Sequence, residues 1–391
     1  MDNSFLDIAV RFRTDSEPLF CKPYGNGHIN STFLVGCTSG GRYILQRINR
    51  YVFKQPEALM RNALAVTGYL RKNAGTGEIV LEFIATHAGE RNADAEQSKL
   101  TGTQQEPHID TATFEVGGLK PEAYWLTDSE GELWRMYRIV DGVSFERADA
   151  ATFKESGVAF GSFQRRLAGF PAEKLHETIP HFHDTPSRYR DFHAALDRDE
   201  FNRAKDVRAE IDFALEREDY SSRLTDMLAS GELPLRVTHN DTKLNNVIFD
   251  KDTGKALCVI DLDTVMPGLS VYDFGDSIRF GASTAEEDER DISKVCFSLP
   301  LFSAFTEGFL SERGEILTAA AKECLIDGAK MLTLETGVRF LTDHLSGDIY
   351  FKTKRDGHNL DRCRTQFKLV SDMEQQWSQM RATVRSFDSG R

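Results

Sequence analysis

Four polar side chains near the middle of the chain, His239, Asp241, Lys243 and Asn246, stand in the order H-x-D-x-K-x-x-N. Twenty residues past Asp241, Asp261 closes the apolar run Val259-Ile260, and Asp263 follows two residues on. Phosphoryl transfer to a hydroxyl needs groups of these types. A carboxylate aligns the hydroxyl and takes its proton, oxygen ligands hold magnesium, and a cation meets the moving charge. Magnesium prefers oxygen in octahedral array and keeps several waters, so an amide and one or two carboxylates suffice. Asp241 suits the first role, Asn246 and Asp261 the second, and Lys243 the third. Asp263 is either a second metal ligand or one that binds through water. An incidental polar turn would have to account for four matched positions and a second acidic motif besides.

Apolar neighbours must hold these groups in place. Leu235 and Val237 before the motif, with Val247, Ile248 and Phe249 after it, predict a strand, a tight polar loop and a second strand. Upstream, Gly25-Asn-Gly27 precedes the alternation Ile29, Ser31, Phe33, Val35, which predicts a hairpin over residues 20–37. Its glycines would let backbone N–H groups approach phosphate oxygens; an ordinary hairpin turn is the plainer reading. Residues 42–48 read as a third strand, and 56–72 as a helix with Leu59, Ala63, Val66 and Leu70 near helical spacing. Residues 78–85 read as a strand, and 124–127 with 133–140 as a second hairpin. Residues 87–112 are polar with almost no apolar side chains and read as a mobile surface insertion. Past Asp141-Gly142 the period becomes helical: over 149–167 with Asp149 as N-cap, over most of 187–228, and over 286–345. Val295, Leu299, Phe302, Phe305 and Phe309 belong to the core of that last stretch.

A chain of 391 residues is long enough for two cores. A net charge of −13 argues against a nucleic-acid partner, which needs a basic face, but leaves room for a local cationic site. No apolar run approaches the roughly 18 residues of a membrane span. The start of the chain lacks a basic segment followed by an apolar one, and the six cysteines are scattered with no C-x-x-C pair. They read as reduced thiols of a cytoplasmic protein. His181 and His183 form an H-x-H pair, but no soft ligands stand at zinc spacing, so surface or capping histidines are the better reading.

The H-x-D-x-x-x-x-N loop followed by an I-D strand resembles the aminoglycoside phosphotransferase and choline kinase superfamily. Lys243 resembles the lysine of the H-R-D-x-K variant in protein kinases. Five segments together, 23–33, 43–49, 239–246, 260–268 and 357–368, are similar to the bacterial N-acetylhexosamine 1-kinases. The resemblance implies an α+β, bilobal, protein-kinase-like fold. A nucleotide-binding lobe over residues 1–141 would hold a small antiparallel sheet and one helix. A larger, mainly helical catalytic and sugar-binding lobe would span 142–391. It further implies ATP and Mg2+ as cofactors, an N-acetylhexosamine (GlcNAc or GalNAc) as partner, and a sugar 1-phosphate as product. A kinase of another small hydroxyl acceptor, such as another sugar, an amino alcohol or an aminoglycoside, is the alternative. A non-catalytic nucleotide-binding module is disfavoured by the intact Asp241, Asn246 and Asp261.

The same resemblance implies nucleotide contacts at Gly25, Gly27, His28, Asn30, Thr32 and Gln46. Gln46 stands where the superfamily usually offers a lysine to the phosphates, with Arg47 beside it. Alternation puts the two on opposite faces, so which cation serves the phosphates is left open. Asp273 in the Y-D-F-G-D segment would brace the catalytic loop. On the acceptor side, Arg339, Asp343 and Tyr350 are the implied sugar contacts. Arg339 and Asp343, four residues apart, would alternatively pair with each other on one helix face. Arg362 and Arg364 would face either phosphate or a helix partner.

Overall fold

In a computed structural model of the chain, residues 4–25, 29–75, 77–87 and 120–388 are described. Gly27, His28 and residues 88–112 of the expected insertion lie outside them. The chain falls into two units. The first comprises Met1–Gly142, Glu173–Ile179 and Cys258–Met266; the second comprises Val143–Ala172, Pro180–Leu257 and Pro267–Arg391. Asp261 and Asp263 therefore belong to the first unit, although they follow the 239–246 motif in sequence.

The first unit is built on a five-stranded antiparallel sheet of β1 (Pro18–Pro23), β2 (Ser31–Cys37), β3 (Arg42–Arg47), β4 (Trp125–Thr127) and β5 (Leu133–Arg138), in the order β1-β2-β3-β5-β4. Strand alternation gives it two distinct faces. Phe33, Val35, Tyr43, Leu45, Trp134 and Met136 share one, buried with Ala9 and Phe12. A short helix, Ser4–Ala9, packs there through Phe5, whose ring lies 4.3 Å from that of Phe33. That helix is one more than the sequence predicted. Six residues give too little periodicity to register. The other face carries Thr32, Gln46 and Arg135, which the register places in one row: Thr32 opposite Gln46, and Gln46 opposite Arg135. The helix Pro56–Lys72 forms where predicted, with Pro56 at its first turn, where its missing N–H costs nothing. Residues 78–85 are not a strand. They run beside β5 through the bonds Ile84 N–H to Met136 O and Arg138 N–H to Glu82 O and one bridge at Phe83, too irregular for a ladder.

The second unit is mostly helical. The Asp149 carboxylate accepts the Thr152 N–H at 2.8 Å and starts the helix Ala150–Arg166 as predicted. The predicted helical tract over 187–228 resolves into Thr185–Arg198, Arg208–Leu215 and Arg223–Ala229. Further on come Ser270–Gly281, Leu299–Arg313, Leu325–Leu345, His358–Gln375 and Trp377–Asp388. Phe302, Phe305 and Phe309 are fully buried, with Phe274 wedged edge-on against all three. Helices cross closely at glycines. A Cβ at Gly157 or Gly308 would collide with the backbone of the facing helix, between Ala150–Arg166 and Leu299–Arg313. Gly275 and Gly328 do the same between Ser270–Gly281 and Leu325–Leu345.

Candidate active site

The loop 239–246 leaves β6 (Arg236–Thr238) and enters β7 (Val247–Phe249) through a single 3-10 turn, Leu244–Asn246. Its own sequence does little to fix its shape. Its main chain is held by the helix Ser270–Gly281, whose Asp273 and Asp276 stand three residues apart and so on one face. The Asp273 carboxylate is fully buried. It accepts the N–H of His239 at 3.0 Å, that of Asn240 at 2.8 Å and the Gln164 amide at 2.7 Å. Asp276 accepts the Thr242 N–H at 2.7 Å and is itself held by Arg279 at 2.9 Å. Arg279 also donates to Glu287 at 2.8 Å. Asn240 takes a left-handed backbone, φ 65°, which asparagine tolerates better than most residues. The brace expected of Asp273 is thus present, with Asp276 as a second one.

Within this frame the Asp241 carboxylate is gripped from two sides. One oxygen lies 2.8 Å from Lys243 Nζ; the other accepts Asn246 Nδ2 at 3.2 Å. Asn246 Nδ2 also donates to the Asp241 carbonyl at 2.8 Å. With both amide hydrogens engaged on Asp241, the asparagine presents Oδ1, the atom type that magnesium takes. Burial works to raise the Asp241 carboxyl, but Lys243, with help from His239 and Arg279, outweighs it and holds the group below the ordinary carboxylate range. Asp241 in turn raises Lys243 well above the usual ammonium range. The resting pair is therefore carboxylate and ammonium. The Asp241 side chain is 24% exposed, enough to be reached by a substrate hydroxyl.

Asp261 follows β8 (Ala256–Val259) and is exposed, with a left-handed φ of 58°. Asp263 is its opposite, 4% exposed and turned into the first unit. One of its oxygens lies 2.5 Å from Arg135 Nη1, and the other accepts Asn30 Nδ2 at 2.6 Å. Both carboxylate oxygens are thus tied to side chains of the first unit, which gives Asp263 an anchoring role that the sequence did not suggest. Asn30 also accepts the Asn49 N–H at 2.9 Å. Gln46 Nε2 donates to Thr32 Oγ1 at 3.1 Å, while Gln46 Oε1 accepts Arg135 Nε at 3.0 Å and Nη2 at 2.7 Å. Arg47 lies on the other face, over the Trp134 ring. Gln46 and Asp263 thus share Arg135 as a partner on one face of the sheet, and Arg47 lies on the other. Gly25 has φ 73°, a backbone that glycine adopts without strain.

The acceptor-side residues divide. Asp343 does not pair with Arg339. It accepts the backbone N–H groups of Ile349, Tyr350 and Phe351 at 2.8–3.0 Å and the Asn359 amide at 2.8 Å. It is 4% exposed and ties the loop after helix Leu325–Leu345 to that helix, so the expectation of a sugar contact for Asp343 falls. Arg339 lies instead among the rings of Phe182, Tyr350 and Phe351, at 5.8, 6.0 and 5.5 Å. Tyr350 is strongly exposed. One turn back on the same helix, the buried Glu335 takes His183 at 3.0 Å and Thr185 at 2.7 Å. Burial works to raise that carboxyl, but His183, Arg339 and Arg188 overcome it and keep it low. His181 Nδ1 lies 3.1 Å from Asp184, and no cluster of three metal-binding side chains occurs among the described residues. Arg364 Nε lies 2.6 Å from Glu210, and Arg362 Nε stands 3.8 Å from Glu287.

The profile of the phosphotransferase enzyme family, APH, matches residues 21–293, well over half of the chain. The chain belongs to that family. Among solved structures, an amicoumacin kinase in complex with AMP-PNP, Ca2+ and Ami is 13% identical with a TM-score of 0.57, covering 94% of this chain and 93% of that one. A microcompartment-associated aminopropanol kinase is 13% identical with a TM-score of 0.56, covering 97% and 98%. An ethanolamine kinase of Plasmodium vivax is 13% identical with a TM-score of 0.52, covering 89% and 82%. At this identity the likeness concerns the fold, and it establishes the protein-kinase-like class that the sequence predicted. For a member of the phosphotransferase enzyme family, the residues that the sequence reading missed are instructive. Arg135, Arg279 and Gln164 carry no motif of their own, and Asp276, which closes the Y-D-F-G-D segment, was passed over beside Asp273. Alternation did place Arg135 opposite Trp134 and Met136 in its strand, but only the register with β3 brings it to Gln46.

Proposed function

We propose that this phosphotransferase is an ATP-dependent kinase of the anomeric hydroxyl of N-acetylhexosamines. The observation that carries the transfer chemistry is the Asp241 carboxylate, kept ionised and oriented by Lys243 and Asn246 on a loop whose backbone is fixed from beneath. In this reading Asp241 accepts a hydrogen bond from the sugar 1-hydroxyl and takes its proton as the oxygen attacks phosphorus. Lys243 stays charged and offsets negative charge on the transferring group. The oxygen donors for magnesium are Asn246 Oδ1 and the Asp261 carboxylate. When bound, the ion would neutralise the nucleotide's phosphate oxygens. The glycine-rich β1–β2 connection, with Asn30, Thr32 and Gln46, serves the nucleotide.

The choice of a neutral sugar is supported by the five sequence segments shared with N-acetylhexosamine 1-kinases and by the surroundings of Arg339. The rings of Phe182, Tyr350 and Phe351 already embrace that guanidinium, and Arg188 lies near enough for the two charges to be felt by each other. A cationic amino alcohol or aminoglycoside would meet two guanidinium groups there, offset in part by the buried Glu335. A hexosamine offers hydroxyl and acetamide oxygens, which guanidinium donors suit.

The test is to incubate the protein with ATP, magnesium and N-acetylglucosamine or N-acetylgalactosamine and to locate the phosphate by phosphorus–proton coupling in NMR. Coupling to H1 is the expected result. Phosphate on the 6-hydroxyl, or turnover only of a different alcohol, refutes the assignment. Arg339→Ala should raise the sugar KM about tenfold or more, in line with the loss of a charge-assisted bond, while leaving the ATP KM near its original value.

A further inference from the structure

The first unit contains a buried cation that the fold supplies from an unexpected strand. Gln46 occupies the β3 position from which the superfamily's lysine would reach the phosphates, and it carries no charge. Directly opposite it on β5 stands Arg135, 2% exposed. Its Nε and Nη2 both donate to Gln46 Oε1, and its Nη1 is paired with Asp263, with Met60 Sδ at 3.9 Å beyond. Burial opposes its charge, but Asp263, with Tyr137 and Asp261, outweighs that cost and keeps the guanidinium protonated. The buried face of helix Pro56–Lys72 is made of Leu59, Met60, Asn62, Ala63, Val66, Thr67 and similar residues, with no carboxylate. The arginine is thus anchored by the segment that carries Asp261 instead of by the helix. Of its five N–H groups, the second on Nη2 meets no acceptor among the described residues.

We propose that Arg135, held in place by Gln46 and Asp263, is the cation that receives the nucleotide's phosphates in place of a β3 lysine. The row Thr32–Gln46–Arg135 lies on one sheet face, and Asn30 ties the glycine-rich connection to the same Asp263. Through this row Asn30, Thr32, Gln46, Arg135 and Asp263 form one network of hydrogen bonds and an ion pair. A guanidinium fork suits this task because it can keep two protein partners and still present a donor to a phosphate oxygen. Asp263 accordingly acts as the arginine's anchor.

This inference rests on the kinase reading, and the experiment separates the two. Affinities for adenosine, AMP, ADP and ATP are measured by calorimetry on the full chain, without sugar, for the wild type, Arg135→Met and the double variant Arg135→Met/Asp263→Asn. The double variant removes both buried charges, so that the carboxylate is not left unpaired. Wild type should bind ATP and ADP more tightly than adenosine. If it does not, the kinase reading itself fails. Given that preference, both variants should lose about tenfold to a hundredfold in ADP and ATP affinity, as expected for a charge-assisted bond. Adenosine affinity should stay within about twofold, well under that loss. Equal losses for all four ligands would make Arg135 a merely structural residue and overturn the proposal. So would full recovery of ATP affinity in the double variant.

Discussion

Replacing Asp241 by Asn is the sharpest probe of the catalytic loop, because the structure separates its chemical effect from its structural one. The amide is isosteric and keeps an oxygen that can accept from Lys243 Nζ, now 2.8 Å from the carboxylate. The pair is partly exposed, 24% and 37% for the two side chains. Ion pairs of that exposure contribute about 0.2–1 kcal/mol. In a chain of this size the change in melting temperature should therefore be about 2 °C or less. The chemical loss is of another order. A positioned base contributes about 10²–10⁴-fold, and loss of alignment adds to it, so kcat should fall at least about a thousandfold, or ~4 kcal/mol in barrier. The loss should fall on kcat, with ATP and sugar affinities near wild type. Single-turnover assays with saturating substrates, run beside thermal unfolding, read both quantities. A variant that retains kcat within tenfold of wild type would show that Asp241 is not the base.

Three further outcomes follow from the surroundings. Asp273→Asn leaves one acceptor oxygen where a buried carboxylate now accepts three N–H groups. The loss of one or two charge-assisted bonds, at about 1.5–3 kcal/mol each, should lower both kcat and melting temperature, and amide exchange at His239 and Asn240 should quicken; unchanged exchange would refute the brace. Asn246→Ala and Asp261→Ala should each raise the magnesium concentration needed for half-maximal activity, and a titration that matches wild type would place the ion elsewhere. His358 Nδ1 accepts the Lys354 N–H at 3.1 Å, so its Nε2 carries the proton shared with Asp288 and the ring is neutral. Burial, with Arg362, lowers its affinity for a second proton below the ordinary value of 6.5. A depressed value in the folded state means that its stabilisation is complete above that value and is lost as pH falls through the lower one. Melting temperature should drop as pH falls below about 6.5, and His358→Gln should flatten the slope; an unchanged slope would assign it to other groups.

The parts of the fold that were legible from sequence are those whose signal is local. Helix Pro56–Lys72, the Asp149 cap and the two hairpins each announce themselves within about a dozen residues through period, cap or turn chemistry. The 78–85 segment misled because its apolar alternation fits an extended chain, whereas a ladder also requires a partner's register. The site was legible where chemistry demands a residue type at fixed spacing, as for Asp241, Lys243 and Asn246. It was not legible where the partner is distant in sequence. Nothing in the sequence joins Asp263 to Arg135, a residue far upstream on another strand, yet the fold pairs them. Asp343 looked like a sugar contact or a partner for Arg339, but a loop six to eight residues further on turns back and delivers three N–H groups to it. Charge alone does not reveal such assignments; only the folded path does.

The glycine crossings have a consequence for how the second unit opens. Where Gly157 and Gly308 let two helices meet backbone to backbone, neither helix can slide or rotate without a collision. The pair must separate as a whole or stay intact. The same holds for Gly275 against Gly328, and Gly275 sits between Asp273 and Asp276, the two residues that hold the catalytic loop. The loop is thereby fastened to a helix whose close crossing at Gly275 and Gly328 resists sliding. Its amides should exchange with solvent only through global unfolding, at rates shared with helices Ala150–Arg166 and Leu299–Arg313, while the surface helix Arg208–Leu215 exchanges through smaller local events. Drift at the distal helices would then leave the attacking geometry unaltered, giving those surfaces latitude to change without loss of the chemistry.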